Sequence, residues 1–125
     1  MPGLLSLPCR ILQMAVMGRK GLGEFETSVL LAIVSLQGRG YGVTIADEIE
    51  RRTGKPVSFG AVYATLDRLQ KKGLISSELG EPTPERGGKP KRFYRIEAPG
   101  ERALREAQTA VERMWAGVFP TGAVA

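Results

Sequence analysis

The stretch from Ser58 to Ile75 constrains this chain most. Ser58 is a good helix N-cap, because its hydroxyl can accept from the first free amides. Phe59, Val62, Leu66 and Leu69 follow at steps of three, four and three, which predicts one apolar stripe along a helix. The other face carries Tyr63, Ala64, Thr65, Arg68 and Lys72: small, polar, aromatic and basic groups. Gly73 then stops the helix and Leu74-Ile75 open a new element. A helix with one side buried and such a side exposed suits insertion into a DNA major groove; the plainer alternative is a surface helix of a bundle.

The flanking segments decide between these. Glu24 to Gln37 reads as a helix with Phe25, Val29, Leu30, Ile33 and Leu36 on one side. Gly38-Arg39-Gly40-Tyr41-Gly42 breaks it; the run faintly resembles a nucleotide-binding glycine loop, but it follows a helix and lacks the full spacing, so a tight helix-helix connection is the better reading. Thr44 to Arg52 reads as a short helix with Ile45, Ala46 and Ile49 inward, ended by Gly54 and Pro56. Leu74 to Leu79 and Lys91 to Glu97 read as two strands joined by a Gly-, Pro- and charge-rich loop. Ala98-Pro99-Gly100 is a turn, and Glu101 to Phe119 is a last helix.

That order is mainly α with a small β-hairpin: a winged helix-turn-helix with a C-terminal helix suited to dimerisation. The predicted organisation is a leader at 1–20, untranslated or disordered, a DNA-binding domain at 21–98, the dimerisation helix at 99–119 and a frayed tail at 120–125.

Charge points the same way. The chain has 125 residues and a formal net charge of +5, enough for one domain and in favour of a polyanionic partner, although a soluble protein can be basic without one. Residues 50–80 carry six basic and three acidic groups, and residues 81–97 five and three, so the excess falls on the groove helix and the hairpin. One cysteine, Cys9, and no histidine exclude an internal disulfide, Cys/His zinc sites and histidine-based acid-base catalysis. No metal, cofactor or enzymatic constellation is expected. No apolar run reaches the roughly 18 residues of a membrane span, and the start is weak as a signal peptide, so a cytoplasmic protein with no membrane insertion is expected.

Helix-turn-helix proteins read base edges from the N-terminal part of the second helix of the pair. That part offers Ser58, Ala61, Tyr63, Ala64 and Thr65, with Arg68 a turn further on and Lys72 beyond. Short side chains let the backbone approach, a threonine methyl can touch thymine and arginine can pair with guanine. The helix N-terminus and the Ser58 and Tyr63 hydroxyls can hold phosphates. Arg86, Lys89, Lys91 and Arg92 at the hairpin tip can straddle a phosphate backbone; the alternative is a solvated loop. Tyr41 can reach a phosphate or pack against Tyr63 or the core.

In the last helix Leu104, Ala107, Val111, Met114 and Val118 make a heptad-like seam. Such a seam is covered by a second chain or packs back on its own domain. Trp115 and Phe119 border it, as interface anchors or as the lining of an apolar pocket between protomers.

Four segments resemble the PadR family of bacterial transcriptional regulators: Gly21-Leu22-Gly23-Glu24-Phe25-Glu26 with its helix, Tyr41-Gly42-Val43-Thr44-Ile45-Ala46, Ser58 to Ile75, and Gly87-Gly88-Lys89-Pro90-Lys91-Arg92-Phe93-Tyr94-Arg95-Ile96. The resemblance covers Gly21 to Gly100. It implies a repressor that binds double-stranded DNA as a homodimer on a pseudo-palindromic operator, of the short type with one terminal helix. Some short members bind planar drugs between paired tryptophans, which invites a small aromatic effector at Trp115; that residue lies about one helical turn late for it. Family members usually start near Met17, so translation is expected to begin there; the alternative is a start at Met1 with an extra N-terminal helix, Ile11 to Met17, packing on the dimer. The alternative reading is an interaction module that binds protein or RNA through the same basic face.

Overall fold

A computed structural model describes residues 21–81 and 89–119. The leader at 1–20, the tail from 120 and most of the hairpin tip, Arg86 included, lie outside the described residues. The elements are α1 (Glu24–Ser35), α2 (Gly42–Thr53), α3 (Phe59–Lys71), β1 (Ile75–Leu79), β2 (Arg92–Ile96) and α4 (Ala98–Trp115).

Val29, Leu30 and Ile33 of α1, Ile45 and Ile49 of α2, and Val62, Leu66 and Leu69 of α3 form one core, closed below by Ile75 and Tyr94 of the hairpin. The stripes expected in α1 and α2 are thus the buried ones. In α3 the stripe is shifted. Phe59 is 51% exposed, whereas Thr65 is only 2% exposed and takes its place inside. Phe59 sits in the first turn, before α3 meets α1 and α2. Thr65 can be buried because its hydroxyl accepts from the Arg68 guanidinium at 3.2 Å, which satisfies its oxygen.

Local capping sets the element ends. The Ser58 Oγ accepts from the Ala61 amide at 3.0 Å, as an N-cap should. α2 starts at Gly42, two residues before the expected Thr44, because the Thr44 hydroxyl accepts from the Tyr41 amide at 3.0 Å and makes Tyr41 the cap. Gly73, at φ 77°, ends α3, and the Leu74 amide reaches back to the Leu69 carbonyl at 3.0 Å. α4 starts at Ala98 rather than Glu101: Pro99 falls in the first turn, where a missing N–H costs nothing. It ends at Trp115, and Gly117 turns left-handed, so Val118 and Phe119 lie outside the helix expected to carry them.

β1 and β2 pair antiparallel, Ile75 opposite Ile96 and Ser77 opposite Tyr94. On its other edge β2 meets the α1–α2 connection: the Tyr94 amide donates to the Gly40 carbonyl at 2.9 Å. The wing is thereby tied to the turn of the helix pair. Two ion networks brace the helices. Glu48 of α2 holds Arg51 at 2.9 Å and Arg52 at 2.5 Å, and Ser35 of α1 donates to it at 2.7 Å. Glu26 of α1 accepts from the Gly23 amide at 3.0 Å and from Lys72 at 3.2 Å.

Candidate nucleic-acid interface

The buried row of α3, Val62, Thr65, Leu66 and Leu69, fixes which residues face away from the core. Helical steps of four, three and four put Gly60, Ala64, Asp67 and Lys71 opposite it, and all four are exposed. Ala61 and Arg68 flank this row on one side and Tyr63 on the other, also exposed. Ala61, Tyr63, Ala64 and Arg68 therefore share the outward half of α3, and Ser58 caps its N-terminus. Thr65 does not: it faces the core and cannot touch a ligand of this surface. Gly60, Asp67 and Lys71 lie on this outward face too, and the sequence reading does not include them. The signal was available, since the row opposite the core of a helix follows from the core itself, but counting Phe59 as core and Thr65 as surface rotated the assignment.

The outward row has little bulk at its N-terminal end. Gly60 and Ala64 present at most a methyl group, so a flat or grooved partner can approach the backbone itself. The Ser58-capped N-terminus adds the positive end of the helix dipole. Basic groups lie further along. Lys71 Nζ is 3.0 Å from Asp67 Oδ2, and both are exposed. Arg68 and Lys72 are not free in this structure. Arg68 Nε lies 3.6 Å and Lys72 Nζ 3.2 Å from one oxygen of Glu26. Burial alone would raise the Glu26 pKa, but the Gly23 amide, Lys72 and Arg68 together outweigh it and hold the group below its ordinary value. Both cations thus lean toward α1, at the edge of the outward face.

The wing supplies the second wall. Lys91 Nζ stands 4.6 Å from the centroid of the Tyr41 ring, a cation–π contact, and Tyr41 meets Phe93 edge-on at 5.7 Å. Tyr41 thus packs on the wing rather than on Tyr63. Arg92 is exposed and donates to Ser77 at 3.0 Å. Lys89 is exposed. An open groove of about 460 Å³ runs between these residues and the start of α2, lined by Tyr41, Gly42, Tyr63, Lys89, Lys91 and Arg92. The Tyr63 ring lies over Gly42, where an added methyl would collide with its hydroxyl. A second groove, of about 550 Å³, separates α3 from β2 and is lined by Tyr63, Asp67, Gln70, Lys71, Arg92 and Tyr94. Tyr94 is buried beneath it; burial raises its pKa, and nearby Arg92 pulls the other way. The two grooves bring helix, wing and the α2 N-terminus to one basic surface, of the size and sign that a nucleic-acid backbone needs.

The seam of α4 divides in two. Leu104 packs against the core of its own chain and Ala107 is half-buried. Val111, Met114 and Trp115 are exposed, Met114 to 76%. Trp115 and Phe119 keep their rings 5.5 Å apart although Phe119 has left the helix. On α1, Leu31 and Val34 are exposed as well.

Among the described residues no helix is long and apolar enough to cross a membrane. The sequence matches the model of the transcriptional regulator PadR-like family over residues 30–106. No curated protein matches it. The structure is similar to that of a transcriptional regulator from Clostridium thermocellum, with 25% identity, 72% of this chain and 84% of that chain covered, and a TM-score of 0.61. A PadR family transcriptional regulator from Eggerthella lenta is 25% identical over 91% of this chain and 93% of its own, with a TM-score of 0.59. F93 from STIV, a winged-helix DNA-binding protein, shares the fold at 16% identity, with 73% and 90% covered and a TM-score of 0.58.

Proposed function

The chain belongs to the PadR-like family of transcriptional regulators, and from that premise we propose that it is a sequence-specific repressor that binds double-stranded DNA as a homodimer. Two copies of α3 enter successive major grooves about 10 base pairs apart on a pseudo-palindromic operator. The observation that carries this reading is the outward row of α3, bare at Gly60 and Ala64 and walled by the basic wing. Tyr63, Lys89, Lys91 and Arg92 hold phosphates, and α3 meets the base edges. Arg68 and Lys72 reach the DNA by exchanging Glu26 for phosphate or base.

The second copy covers the outer seam of α4, from Val111 to Trp115, which one chain leaves in water. The paired rings of Trp115 and Phe119 offer a flat aromatic effector a place at that junction. Trp115 is the single tryptophan, so its fluorescence reports on this place alone. Fluorescence-anisotropy titration against the upstream DNA of its own gene and a shuffled control tests the main reading. Tight binding to the upstream DNA alone is expected. Equal weak binding to both, or preference for RNA, would instead favour an interaction module using the same basic face.

A further inference from the structure

Asp67 is the one acidic residue of α3, and the outward row Gly60-Ala64-Asp67-Lys71 places it in the middle of the face held to enter the groove. Its side chain is 63% exposed, and among the described residues its ion-pair partner is Lys71, at 3.0 Å. The contrast with the two buried carboxylates of the helical head is informative. Glu26 and Glu48 each tie cations within the fold, whereas Asp67, among the described residues, braces nothing beyond its own helix. An exposed pair four residues apart contributes little to stability. The chain therefore carries a negative charge at the centre of a surface that otherwise favours a polyanion.

The chemistry of the major groove narrows what such a carboxylate can do. It repels phosphates, guanine O6 and N7, and thymine O4. The groups that can donate to it are the amino groups of cytosine and adenine. Adenine places its N7 acceptor beside the amino group, where a carboxylate oxygen is repelled. Cytosine presents its amino group with no acceptor on the same edge. Lys71 beside Asp67 offsets the charge against the flanking phosphates and leaves the second carboxylate oxygen free to accept.

We infer that Asp67 is a specificity-determining residue, accepting a hydrogen bond from a cytosine amino group and so requiring a C·G pair at one fixed position of each half-site. This rests on the operator-binding reading above. The test is selection of duplexes from a randomised library by the full-length protein and by Asp67→Ala and Asp67→Asn, followed by sequencing and by titration of the selected sites. Asp67 is exposed, so both variants should melt with the wild type. The wild type should select a consensus with one invariant C·G pair per half-site. Asp67→Ala should keep the rest of that consensus but cut the preference at this pair from on the order of tenfold to below about twofold. Asp67→Asn should move it toward A·T, because an amide both donates to N7 and accepts from the amino group. An unchanged consensus with uniformly tighter binding by Asp67→Ala would overturn the assignment and leave Asp67 as a mere damper of phosphate attraction. Absence of any consensus for the wild type would overturn the operator reading itself, and the assignment with it.

Discussion

The helical head and the outer half of α4 follow opposite rules. In the head, the stripes of α1, α2 and α3 close on one another and on Ile75 and Tyr94, so the apolar faces find partners inside one chain. In α4 the same kind of stripe begins inside, at Gly100 and Leu104, and runs out into water at Val111, Met114 and Trp115. A periodic apolar face is thus evidence that a helix will be covered, but not of what covers it. The head is complete by itself. The outer half of α4 is complete only if the proposed second copy supplies the other side.

The sharpest way to break that contrast is to remove a core side chain. Leu66 is fully buried between the helices. Leu66→Ala should cost about 2–5 kcal/mol in denaturant unfolding, enough to threaten a domain of this size. A loss under about 1 kcal/mol would mean that the head does not depend on this packing. The next largest effect belongs to the joint between the regions. Gly100 sits so close to the Leu74 carbonyl that an added methyl would collide with it, and the carbonyl is backbone and cannot swing aside. Gly100→Ala should cost about 1–3 kcal/mol and lift the start of α4 off the head. Hydrogen exchange should then rise in α4 ahead of α1 and α3; equal rise everywhere would deny that a joint exists.

Val111→Glu sharpens the other side. Val111 touches no core, so the head of an isolated chain should lose less than about 0.5 kcal/mol. The proposed dimer should nevertheless fall to monomers in sedimentation, and operator affinity should drop with it, because two half-sites no longer bind as one. An unchanged mass would place the dimer contact elsewhere or remove it. Ser58→Ala is a milder probe: loss of the cap should cost about 1 kcal/mol, read as a small shift of the unfolding midpoint.

The head and the outer α4 also differ in how far the sequence revealed them. The core positions of α1 and α2 were legible because Val29, Ile33, Ile45 and Ile49 repeat at helical steps, and the ends of α2 and α3 because Gly54 and Gly73 are residues that tolerate a left-handed turn. Thr65 was not legible. Residue type predicts a threonine outside, and only the Arg68 side chain over its hydroxyl lets it lie within. That one position hid Gly60, Asp67 and Lys71 as the centre of the outward face. The network at Glu26 was hidden for another reason: Lys72 lies 46 residues away in sequence, and no local pattern links them. The Gly40–Tyr94 bridge that ties wing to turn is long-range in the same way. For α4 the seam itself was legible, and Gly117 carried the same stop signal as Gly54 and Gly73, but Val118 at seam spacing argued for continuing the helix past it.

A further test concerns the acid side of the head, where α1 and α2 are joined through Glu48. The hydrogen bonds from Arg52, Ser35 and Arg51 hold its carboxyl down at about 2, from an ordinary 4.5. The folded state therefore prefers the ionised form. Its contribution to stability is whole above the unfolded value of about 4.5 and fades as pH falls toward the folded value of about 2. Glu26 is shifted in the same direction, so the wild-type head should lose stability on acidification through both groups. Glu48→Gln removes one of the two. Its unfolding midpoint should start below the wild type near neutral pH, because Arg51 and Arg52 lose their anion, and the gap should narrow between about pH 5 and pH 2. Among the described residues the outer α4 has no such carboxylate network, so its hydrogen exchange should show no corresponding step over that interval. A gap that stays constant with pH would mean that Glu48 acts through shape alone, and that the charge it carries does not help to join α1 to α2.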